Sequence, residues 1–320
     1  MLILCTGASG FIGTNLADSL LKQNVNFVNV DIKEPVESNH QLYWKQCDIL
    51  HLEELTKIFN GCQPTHVVHL AAKTDDTAKT LDDYRANIEG TANVLEAIKT
   101  TPSISRVIIT STQFVVQPGY FPKHNEDFSP HTLYGQSKVI AEQLTRSANL
   151  DCTWTIIRPT NIWGPWHPRY PYEFWHVLKK GRYFHPGKKP VIRSFGYVGN
   201  VVYQIERILQ APTSLVNRKV YYVGDMPINL IEWVNGFSRA IAEKDVRIVP
   251  RSVVRCMALA GDFLSFFGVR FPIHSSRYRS MTTDYPAPMG PTLDHFGESP
   301  FSMDEGIKET TAWLRHQGLI

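Results

Sequence analysis

The sequence has few cysteines, and none of them forms a pair suited to a disulfide framework or a zinc site. The cysteines are Cys5, Cys47, Cys62, Cys152 and Cys256. Their number is odd, they lie far apart, and no C-x-x-C motif occurs. Disulfide-rich secreted domains and zinc ribbons depend on such pairs. We therefore expect no metal site and a reduced, cytoplasmic compartment.

An excess of one charge sign is also missing. Lysine and arginine total 33 residues and aspartate and glutamate total 30, so the formal net charge is +3. Domains that bind nucleic acids carry a stronger and more concentrated positive charge. The composition predicts no nucleic-acid partner, and it leaves a small anionic ligand open.

Long apolar runs are lacking as well. The start MLIL passes at once into a glycine-rich turn, which is unlike a secretory signal. The most hydrophobic later window, Val253–Phe271, is interrupted by Arg255, Asp262 and Arg270. A bilayer span needs about 20 mostly apolar residues. We expect no stable membrane span and interpret this window as a core helix, with a membrane-touching helix as the less favoured alternative.

The first half of the chain alternates short β-branched runs with helical stretches. The predicted strands are Leu2–Cys5, Asn26–Val30, Tyr43–Gln46, His66–Leu70, Val107–Thr110 and Trp154–Ile157. The predicted helices are Gly13–Lys22, Leu52–Phe59, Leu81–Lys99 and Tyr134–Ala148. This alternation is typical of β-α-β units around a parallel sheet. Because the strands are apolar on both faces, we expect helices to cover both sides of that sheet.

The composition changes after Arg158 and Pro159. Residues 165–190 contain five prolines and many aromatic residues, which is typical of loops with short embedded helices. Later elements are predicted at Val220–Val223 (a strand), Asn229–Ala242 (a helix) and Met303–His316 (a helix that Ser302 and Glu305 cap). These patterns predict two domains.

We expect a first domain over residues 1–165, with a return segment near 192–225. A smaller C-terminal substrate-binding domain, made mostly of loops and helices, is expected over 166–320. The predicted fold class is α/β, with a Rossmann-type doubly wound parallel sheet in the first domain. A glycine motif near the start of the first domain indicates the ligand of that domain.

That motif, TGASGFIG, stands between the first predicted strand and the first predicted helix and contains Gly7, Gly10 and Gly13. In this context one glycine permits a tight turn, the next admits a pyrophosphate, and the third lets the helix pack closely on the strand. The N–H groups at the helix N-terminus bind the anion. The predicted cofactor-binding residues of this stretch are Gly7, Ser9, Gly10, Phe11, Ile12 and Gly13.

An acidic residue, Asp31, ends the second predicted strand 24 residues after Gly7. A carboxylate at this place accepts hydrogen bonds from the adenosine ribose and repels a 2′-phosphate. The sequence therefore favours NAD over NADP, although Lys33 lies nearby. Asp48 and Ile49 follow the third strand, where Asp48 could meet adenine or could simply be a solvated turn carboxylate.

Tyr134 and Lys138 form a Tyr-x-x-x-Lys pair at the start of a predicted helix. Residues four apart share a helix face. The preceding strand ends in Ser111 and Thr112, so these side chains are expected to converge at the carboxyl edge of the sheet. A phenol ordinarily titrates near pH 10, and a nearby ammonium helps it act as a base near neutrality. We predict that Thr112, Tyr134 and Lys138 are catalytic.

At this point the chain resembles the extended short-chain dehydrogenase/reductase family, above all its NAD-dependent nucleotide-sugar epimerase and dehydratase branch. The resemblance rests on TGASGFIG, Asp31, Asp48-Ile49, HLAAKT (69–74), Asn87-x-x-Gly90-Thr91, ITST (109–112), YGQSK (134–138), RPTNIWGP (158–165), IRSFGYVGN (192–200) and GIKETTAWL (306–314). In this order the motifs are highly specific for fold and cofactor, and much less so for substrate.

The resemblance implies further site residues. Leu70, Ala71, Ala72, Asn87 and Pro159 would line the cofactor, with Lys138 also holding its ribose. Thr112, Tyr134, Asn161 and Arg193 would bind the substrate, and Asn161 and Arg193 match residues that contact the diphosphate of a nucleotide sugar. The alternative for Arg193 is a plain salt bridge.

Departures from the family pattern narrow the reaction. Dehydratases carry an acidic pair after the catalytic hydroxyl, and related decarboxylases carry a Glu there, whereas this chain has Gln113 and Phe114. The resemblance thus implies a 4-epimerase that acts on a nucleotide diphosphate sugar, a reaction of polysaccharide biosynthesis, and it allows a homodimer. The alternatives are a nucleotide-sugar 4-ketoreductase, a 3β-hydroxysteroid-dehydrogenase-like enzyme on a lipid alcohol, and a non-catalytic dinucleotide sensor.

Overall fold

The computed structural model describes residues 1–75, 78–269 and 271–320. The strands are β1 (Leu2–Thr6), β2 (Asn26–Asp31), β3 (Trp44–Gln46), β4 (His66–His69), β5 (Arg106–Thr110), β6 (Thr153–Pro159), β7 (Asn161–Trp163), β8 (Phe184–Pro186), β9 (Ile192–Arg193), β10 (Phe195–Tyr197), β11 (Lys219–Val223), β12 (Ile228–Asn229) and β13 (Arg247–Val249).

The helices are α1 (Phe11–Lys22), α2 (Leu52–Cys62), α3 (Arg85–Lys99), α4 (Leu133–Ser147), α5 (His176–Lys179), α6 (Val198–Gln210), α7 (Thr213–Val216), α8 (Leu230–Ala242), α9 (Arg251–Phe266), α10 (Ser275–Thr282), α11 (Gly290–Phe296) and α12 (Met303–His316). Short 3₁₀ turns cover Ser38–Tyr43, Leu81–Tyr84 and Gln113–Val115, and a π-helical turn covers Pro171–Trp175.

The chain divides into two compact units. The first consists of residues 1–162, 196–225 and 288–300, and the second of 163–195, 226–287 and 301–320. The return of 288–300 to the first unit was not predicted. Its α11 is held there by the Thr292 hydroxyl, which donates to the Tyr222 carbonyl at 2.6 Å, and by a 2.7 Å hydrogen bond between Tyr221 and His295.

The first unit is built on a seven-stranded sheet in the order β11-β6-β5-β4-β1-β2-β3. Every neighbouring pair is parallel. Isoleucine and valine residues of the inner strands are fully buried, as expected where helices cover both faces. The predicted Rossmann-type α/β fold is confirmed, because this is its strand order extended by one strand at the β11 edge.

The second unit has an aromatic core. Trp163 and Trp175 are buried, and their rings lie 5.2 and 5.4 Å from that of Phe237. Trp233 stacks on Phe195 at 4.3 Å. The helix α12 begins at the predicted residue, with Ser302 and Glu305 forming the predicted capping box. The aromatic-rich segment therefore supplies core packing.

Three sequence-based predictions need correction. The predicted helix Leu81–Lys99 begins with a 3₁₀ turn and is α-helical only from Arg85, and the predicted strand Tyr43–Gln46 begins at Trp44. The prediction of a core helix at Val253–Phe271 was wrong, because α9 buries one narrow face and exposes large apolar side chains on the other. Across the described ranges, no helix is long and apolar enough to cross a membrane.

Candidate active site

The loop after β1 packs tightly on the loop after β4. Gly7 has a φ of +77°, and a Cβ there would lie 2.5 Å from the Ala71 backbone nitrogen. A Cβ on Gly13 would overlap the Ala8 backbone. At Gly10 the described residues place one atom within 4 Å of such a Cβ, the Gly7 carbonyl oxygen at 3.2 Å. The space beside Gly10, where α1 begins, therefore fits a pyrophosphate at a helix N-terminus.

Asp31 ends β2 beside this loop. Its Oδ2 accepts a hydrogen bond from the Ser9 N–H at 3.1 Å, and its Oδ1 accepts one from the Lys33 N–H at 3.0 Å. Burial raises the pKa of Asp31, and these backbone N–H groups offset part of the rise. Each carboxylate oxygen can accept more than one hydrogen bond. The Asp31 carboxylate can thus still accept hydrogen bonds from ribose hydroxyls. Phe11 and Ile12, which follow Gly10, form the first turn of α1.

The loop after β4 lies where the strand order reverses direction, since β1 has β2 on one side and β4 on the other. Open α/β sheets bind ligands in the crevice at such a point. Leu70, Ala71 and Ala72 follow β4 there, and the Leu70 N–H donates to the Thr6 carbonyl at 2.9 Å. The structure therefore brings these three residues together with the glycine loop.

Asp48 and Ile49 follow β3. The Asp48 Oδ1 accepts a hydrogen bond from the Leu50 N–H at 2.9 Å, which is the geometry of a local turn. Ile49 is buried, and a Cβ on Gly90 of α3 would lie 2.5 Å from the Ile49 Cδ1. The Ile49 side chain therefore packs in the core of the first unit.

Thr112 and Tyr134 belong to two segments that touch each other. Thr112 follows β5, and its hydroxyl accepts a hydrogen bond from the Phe114 N–H at 3.2 Å. Thr132 caps α4 by accepting from the Gly135 N–H at 2.9 Å. A Cβ on Gly135 would overlap the Phe114 carbonyl, and the Tyr134 and Phe114 rings lie 6.2 Å apart. Gly135 thus lets α4 lie directly against the segment that carries Thr112.

Lys138 lies one turn further along α4 and is buried. Its Nζ donates a 2.8 Å hydrogen bond to the Thr110 carbonyl, at the end of β5. Burial lowers the pKa of Lys138 to about 8, with Glu142 opposing the shift. Because residues i and i+4 share a helix face, the ammonium and the Tyr134 phenol lie on the same side of α4.

Asn87 is fully buried in α3 and is engaged by protein atoms. Its Nδ2 donates to the Lys73 carbonyl at 3.0 Å and to the Ser137 hydroxyl at 2.9 Å. Its Oδ1 accepts from the Lys73 N–H at 2.8 Å. These bonds use both amide hydrogens, so Asn87 ties the chain after β4 to α4.

A buried ion pair next to Lys138 was missed by the sequence reasoning. The Arg158 Nε and Nη2 donate to the two Glu142 oxygens at 2.8 and 2.9 Å. The Ser111 hydroxyl also donates to Glu142, at 2.6 Å, and the Arg158 Nη1 donates to the Tyr222 hydroxyl at 3.1 Å. The network joins α4 to β6, to β11 and to the residue that follows β5. The signal available in the sequence was an acid four residues after Lys138.

Pro159 ends β6 and is buried, and Asn161 begins β7 and is half-buried. Both lie in the first unit, Pro159 as the last residue of β6 and Asn161 two residues after it. The structure therefore puts both residues near the carboxyl end of β6.

Arg193 lies in β9 of the second unit and is only 8% exposed. Its guanidinium lies 5.7 Å from the Tyr285 ring centroid and donates to the Ser280 carbonyl. Burial lowers its pKa, and the phenols of Tyr170, Tyr285 and Tyr183 oppose the shift. None of the ion pairs found within the described residues includes Arg193. A buried guanidinium without a carboxylate fits an anionic group such as phosphate.

The glycine loop, Asp31 and the Tyr134–Lys138 pair all fall within one match to a known family. Residues 3–224 match the model of the NAD dependent epimerase/dehydratase family. The chain belongs to this family. The predicted family resemblance is confirmed, and with it the predictions of an enzyme and of NAD as its cofactor.

Two curated relatives of this family member illustrate its range. An N-acetyl-α-D-glucosaminyl-diphospho-ditrans,octacis-undecaprenol 4-epimerase of Escherichia coli O157:H7 is 27% identical over 96% of this chain and 93% of its own length. A 3-beta-hydroxysteroid dehydrogenase of Mycolicibacterium neoaurum is 27% identical over 85% of this chain and 79% of its own length. One acts on a lipid-linked sugar and the other on a steroid, as their names state.

The fold itself is that of solved epimerase structures. A UDP-glucose 4-epimerase of Thermotoga maritima, crystallised with UDP-glucose, superposes with a TM-score of 0.76. The match covers 99% of both chains at 20% sequence identity. Fold similarity at this identity extends over the whole length of the family member and leaves its substrate to be argued from its own residues.

Proposed function

We propose that this protein is an NAD-dependent nucleotide-sugar 4-epimerase. It would oxidise a sugar hydroxyl to a bound ketone and reduce that ketone again from the opposite face. The observation that carries the proposal is the close contact of α4 at Gly135 with the Phe114 carbonyl. This contact supports a common site for Thr112, Tyr134 and Lys138.

The cofactor has its own set of residues in this proposal. NAD, when bound, supplies a hydride acceptor that returns the hydride in the second half of the reaction. The residues assigned to it are Gly7, Ser9, Gly10, Phe11, Ile12, Gly13, Asp31, Leu70, Ala71, Ala72, Lys138 and Pro159. Asn87 acts by positioning α4, and the Ile49 side chain packs against Gly90 in the core of the first unit. Asp48 stays assigned to the adenine side.

Proton transfer falls to the side chains at the start of α4. The Tyr134 phenolate accepts the proton of the sugar hydroxyl during oxidation, and the phenol formed in this way returns the proton during reduction. The Lys138 ammonium on the same helix face favours the phenolate form of Tyr134. The Thr112 hydroxyl donates a hydrogen bond to the reacting sugar oxygen. One set of groups thus serves both directions, which an epimerase requires.

The residues after Thr112 favour epimerisation over dehydration. A dehydratase must also remove a proton next to the ketone and protonate a departing hydroxyl. Gln113 and Phe114 follow Thr112, and neither an amide nor a phenyl ring can perform these steps. The ketone is therefore expected to be reduced, not to eliminate water.

Arg193 of the second unit is assigned to the diphosphate of the substrate, and Asn161 of the first unit is assigned to substrate binding. The buried Arg193 guanidinium supports this role, because a phosphate would supply the negative charge that no ion pair of the described residues provides. A second candidate substrate follows from the Escherichia coli relative. The same chemistry could act on a sugar diphosphate carried by a polyprenyl lipid, whose diphosphate would meet Arg193.

The test is an assay of C4 inversion by NMR with purified protein and NAD. Sugars linked to UDP, GDP, CDP and dTDP form one series, and a polyprenyl diphosphate sugar in detergent forms the other. We expect inversion of a nucleotide sugar. In Tyr134→Phe, turnover should fall by at least about 100-fold while NAD binding is retained. Tyr203→Phe, in α6, is the matched control and should keep full activity.

Other results would point to other enzymes. Stoichiometric consumption of NADH would indicate the ketoreductase, and oxidation of a 3β-hydroxysteroid without sugar turnover would indicate the steroid enzyme. Inversion of the lipid-linked sugar alone would favour the second candidate substrate. Each of these outcomes would contradict the nucleotide-sugar epimerase.

A further inference from the structure

Helix α9 in the second unit has one face that packs on protein. Val254, Ala258 and Gly261 are buried, at positions i, i+4 and i+7. Val254 and Ala258 form a small core with Ile273, and Phe184 packs against it. A Cβ on Gly261 would overlap the Ile273 carbonyl, so the chain after α9 folds back against this face. The core of the second unit therefore accounts for one side of the helix.

A second apolar face looks away from that core. We call it the exposed apolar face and define it by Val253, Leu259, Phe263, Phe266 and Phe267. All five side chains are exposed, with Phe263 at 66% and Phe266 at 86%. The Phe263 and Phe267 rings lie 5.1 Å apart, and those of Phe266 and Phe267 lie 5.5 Å apart. Contiguous exposed apolar side chains mark an interaction surface.

The segment that carries this face is mostly positively charged. Residues 250–283 contain five arginines and a single acidic residue, Asp262. This leaves 28 cationic and 29 acidic side chains for the rest of the chain, so the net positive charge of the protein lies in this segment. Arg255 on α9 and Arg279 on α10 are exposed. The Asp262 carboxylate is engaged by Ser275, whose N–H donates to it at 3.1 Å.

We propose that the exposed apolar face of α9 lies on the surface of an anionic phospholipid bilayer. The phenylalanines would enter the boundary between headgroups and acyl chains, and the arginines would meet lipid phosphates. A 16-residue helix rises about 24 Å, so it would lie in the interface plane and not cross the bilayer. The inference does not depend on the proposed function.

Charge complementarity favours an anionic bilayer over a second copy of the chain as the partner of this face. Two copies meeting through a two-fold contact at α9 would bring their arginines together, and like charges at a contact disfavour it. An anionic lipid surface attracts the same arginines. The apolar area alone would suit either partner. The arginines around the exposed apolar face therefore favour the anionic lipid surface over a second copy of the chain.

The test is co-sedimentation of the full chain with lipid vesicles. One set contains phosphatidylcholine alone, and the other contains phosphatidylglycerol as about one third of the lipid. We expect binding to the anionic set, weakened when salt is raised from about 0.1 M to about 1 M. The double variant Phe263→Ser/Phe267→Ser should bind at least about 10-fold more weakly. Phe121→Ser, at a 69% exposed phenylalanine of the first unit, should bind like the wild type.

Two further measurements keep the proposal testable if the double variant folds poorly. Arg255→Gln/Arg279→Gln should weaken binding to anionic vesicles and reduce its salt dependence. Cys256 is exposed on α9, so anionic vesicles should slow its reaction with a water-soluble maleimide in the otherwise unchanged protein. Cys256→Ser identifies that modification.

Three outcomes would overturn the proposal. The first is wild-type binding to anionic vesicles no stronger than that of the double variant. The second is equal binding to both vesicle sets without salt dependence. The third is a wild-type dimer in sedimentation equilibrium that the double variant loses, which would assign the face to a contact between copies.

Discussion

The Lys138 ammonium donates a 2.8 Å hydrogen bond to the Thr110 carbonyl from a fully buried position. This bond joins α4 to the end of β5 and holds a cation on the helix face that also carries the candidate base, Tyr134. Removing an ammonium from water costs free energy, and burial accordingly lowers the pKa of Lys138 to about 8 from 10.5. The buried cation therefore couples the site to the stability of the protein.

The first prediction concerns this coupling. Between pH 8 and 10.5 the unfolded chain holds a proton on Lys138 that the folded protein has lost, so folding stability rises with pH across this window. From pH 7 to 9.5 the free energy of unfolding should rise by about 2 kcal/mol more in the wild type than in Lys138→Met. Urea denaturation at several pH values measures this. Parallel pH curves for the two proteins would contradict it.

The second prediction concerns Gly135. A Cβ there overlaps the Phe114 carbonyl, so Gly135→Ala should push α4 away from Thr112 and cost about 1–3 kcal/mol of stability. Gly61 of α2 is the matched control, since a Cβ there would meet no described atom within 4 Å. Gly61→Ala should raise stability by about 0.5–1 kcal/mol. Equal effects at both glycines would show that the contact is not tight.

The β-α-β part of the first unit could be predicted from the sequence because its signals are local. The strands are short, β-branched and apolar, and the glycine motif marks where β1 ends and α1 begins. Thr132 and Gly135 lie within four residues of each other, so the start of α4 can also be recognised. For the same reason the trio of Thr112, Tyr134 and Lys138 could be predicted as catalytic without any knowledge of the contacts between segments.

The rest depends on contacts that a linear pattern does not reveal. The hydrophobicity of 253–271 is visible, but which face of α9 is covered depends on Ile273 and Phe184. The pair of Glu142 and Arg158 joins residues 16 positions apart, and only the sheet brings them together. The helix α6 was missed although its apolar residues have a helical period, because its β-branched residues also suit a strand.

The third prediction tests cofactor choice at Asp31. Replacing the carboxylate by an amide removes the repulsion of a 2′-phosphate and weakens the bonds to the ribose hydroxyls. Asp31→Asn should therefore bind NAD about 10-fold more weakly and narrow the gap to NADP. Glu34→Gln removes an exposed charge three residues away and should change neither affinity. The dissociation constants of NAD and NADP for each protein measure these effects. A wild type that binds NADP more tightly than NAD would contradict the role of Asp31 in cofactor choice.

The fourth prediction tests the buried guanidinium of Arg193. Arg193→Leu should weaken binding of a nucleoside diphosphate by about 1.5–3 kcal/mol, the range for a hydrogen bond to a charged group. NAD affinity should stay unchanged. Arg193→Lys keeps the positive charge but loses the planar guanidinium, so its affinity for a nucleoside diphosphate should lie between those of the wild type and Arg193→Leu. Calorimetric titration with UDP, GDP, CDP and dTDP in the presence of NAD measures the effect. Equal affinities in wild type and Arg193→Leu would remove Arg193 from the substrate site.

The central claim is that the hydride removed from C4 of the sugar returns to the same carbon. The most direct measurement uses a nucleotide sugar deuterated at C4 and follows both epimers by NMR and mass spectrometry. We predict that the inverted sugar retains its deuterium and that no NADH is formed or consumed in net terms. Tyr134→Phe should form the inverted sugar far more slowly than the wild type. Loss of the deuterium from inverted sugar, or consumption of one NADH for each sugar converted, would contradict the account.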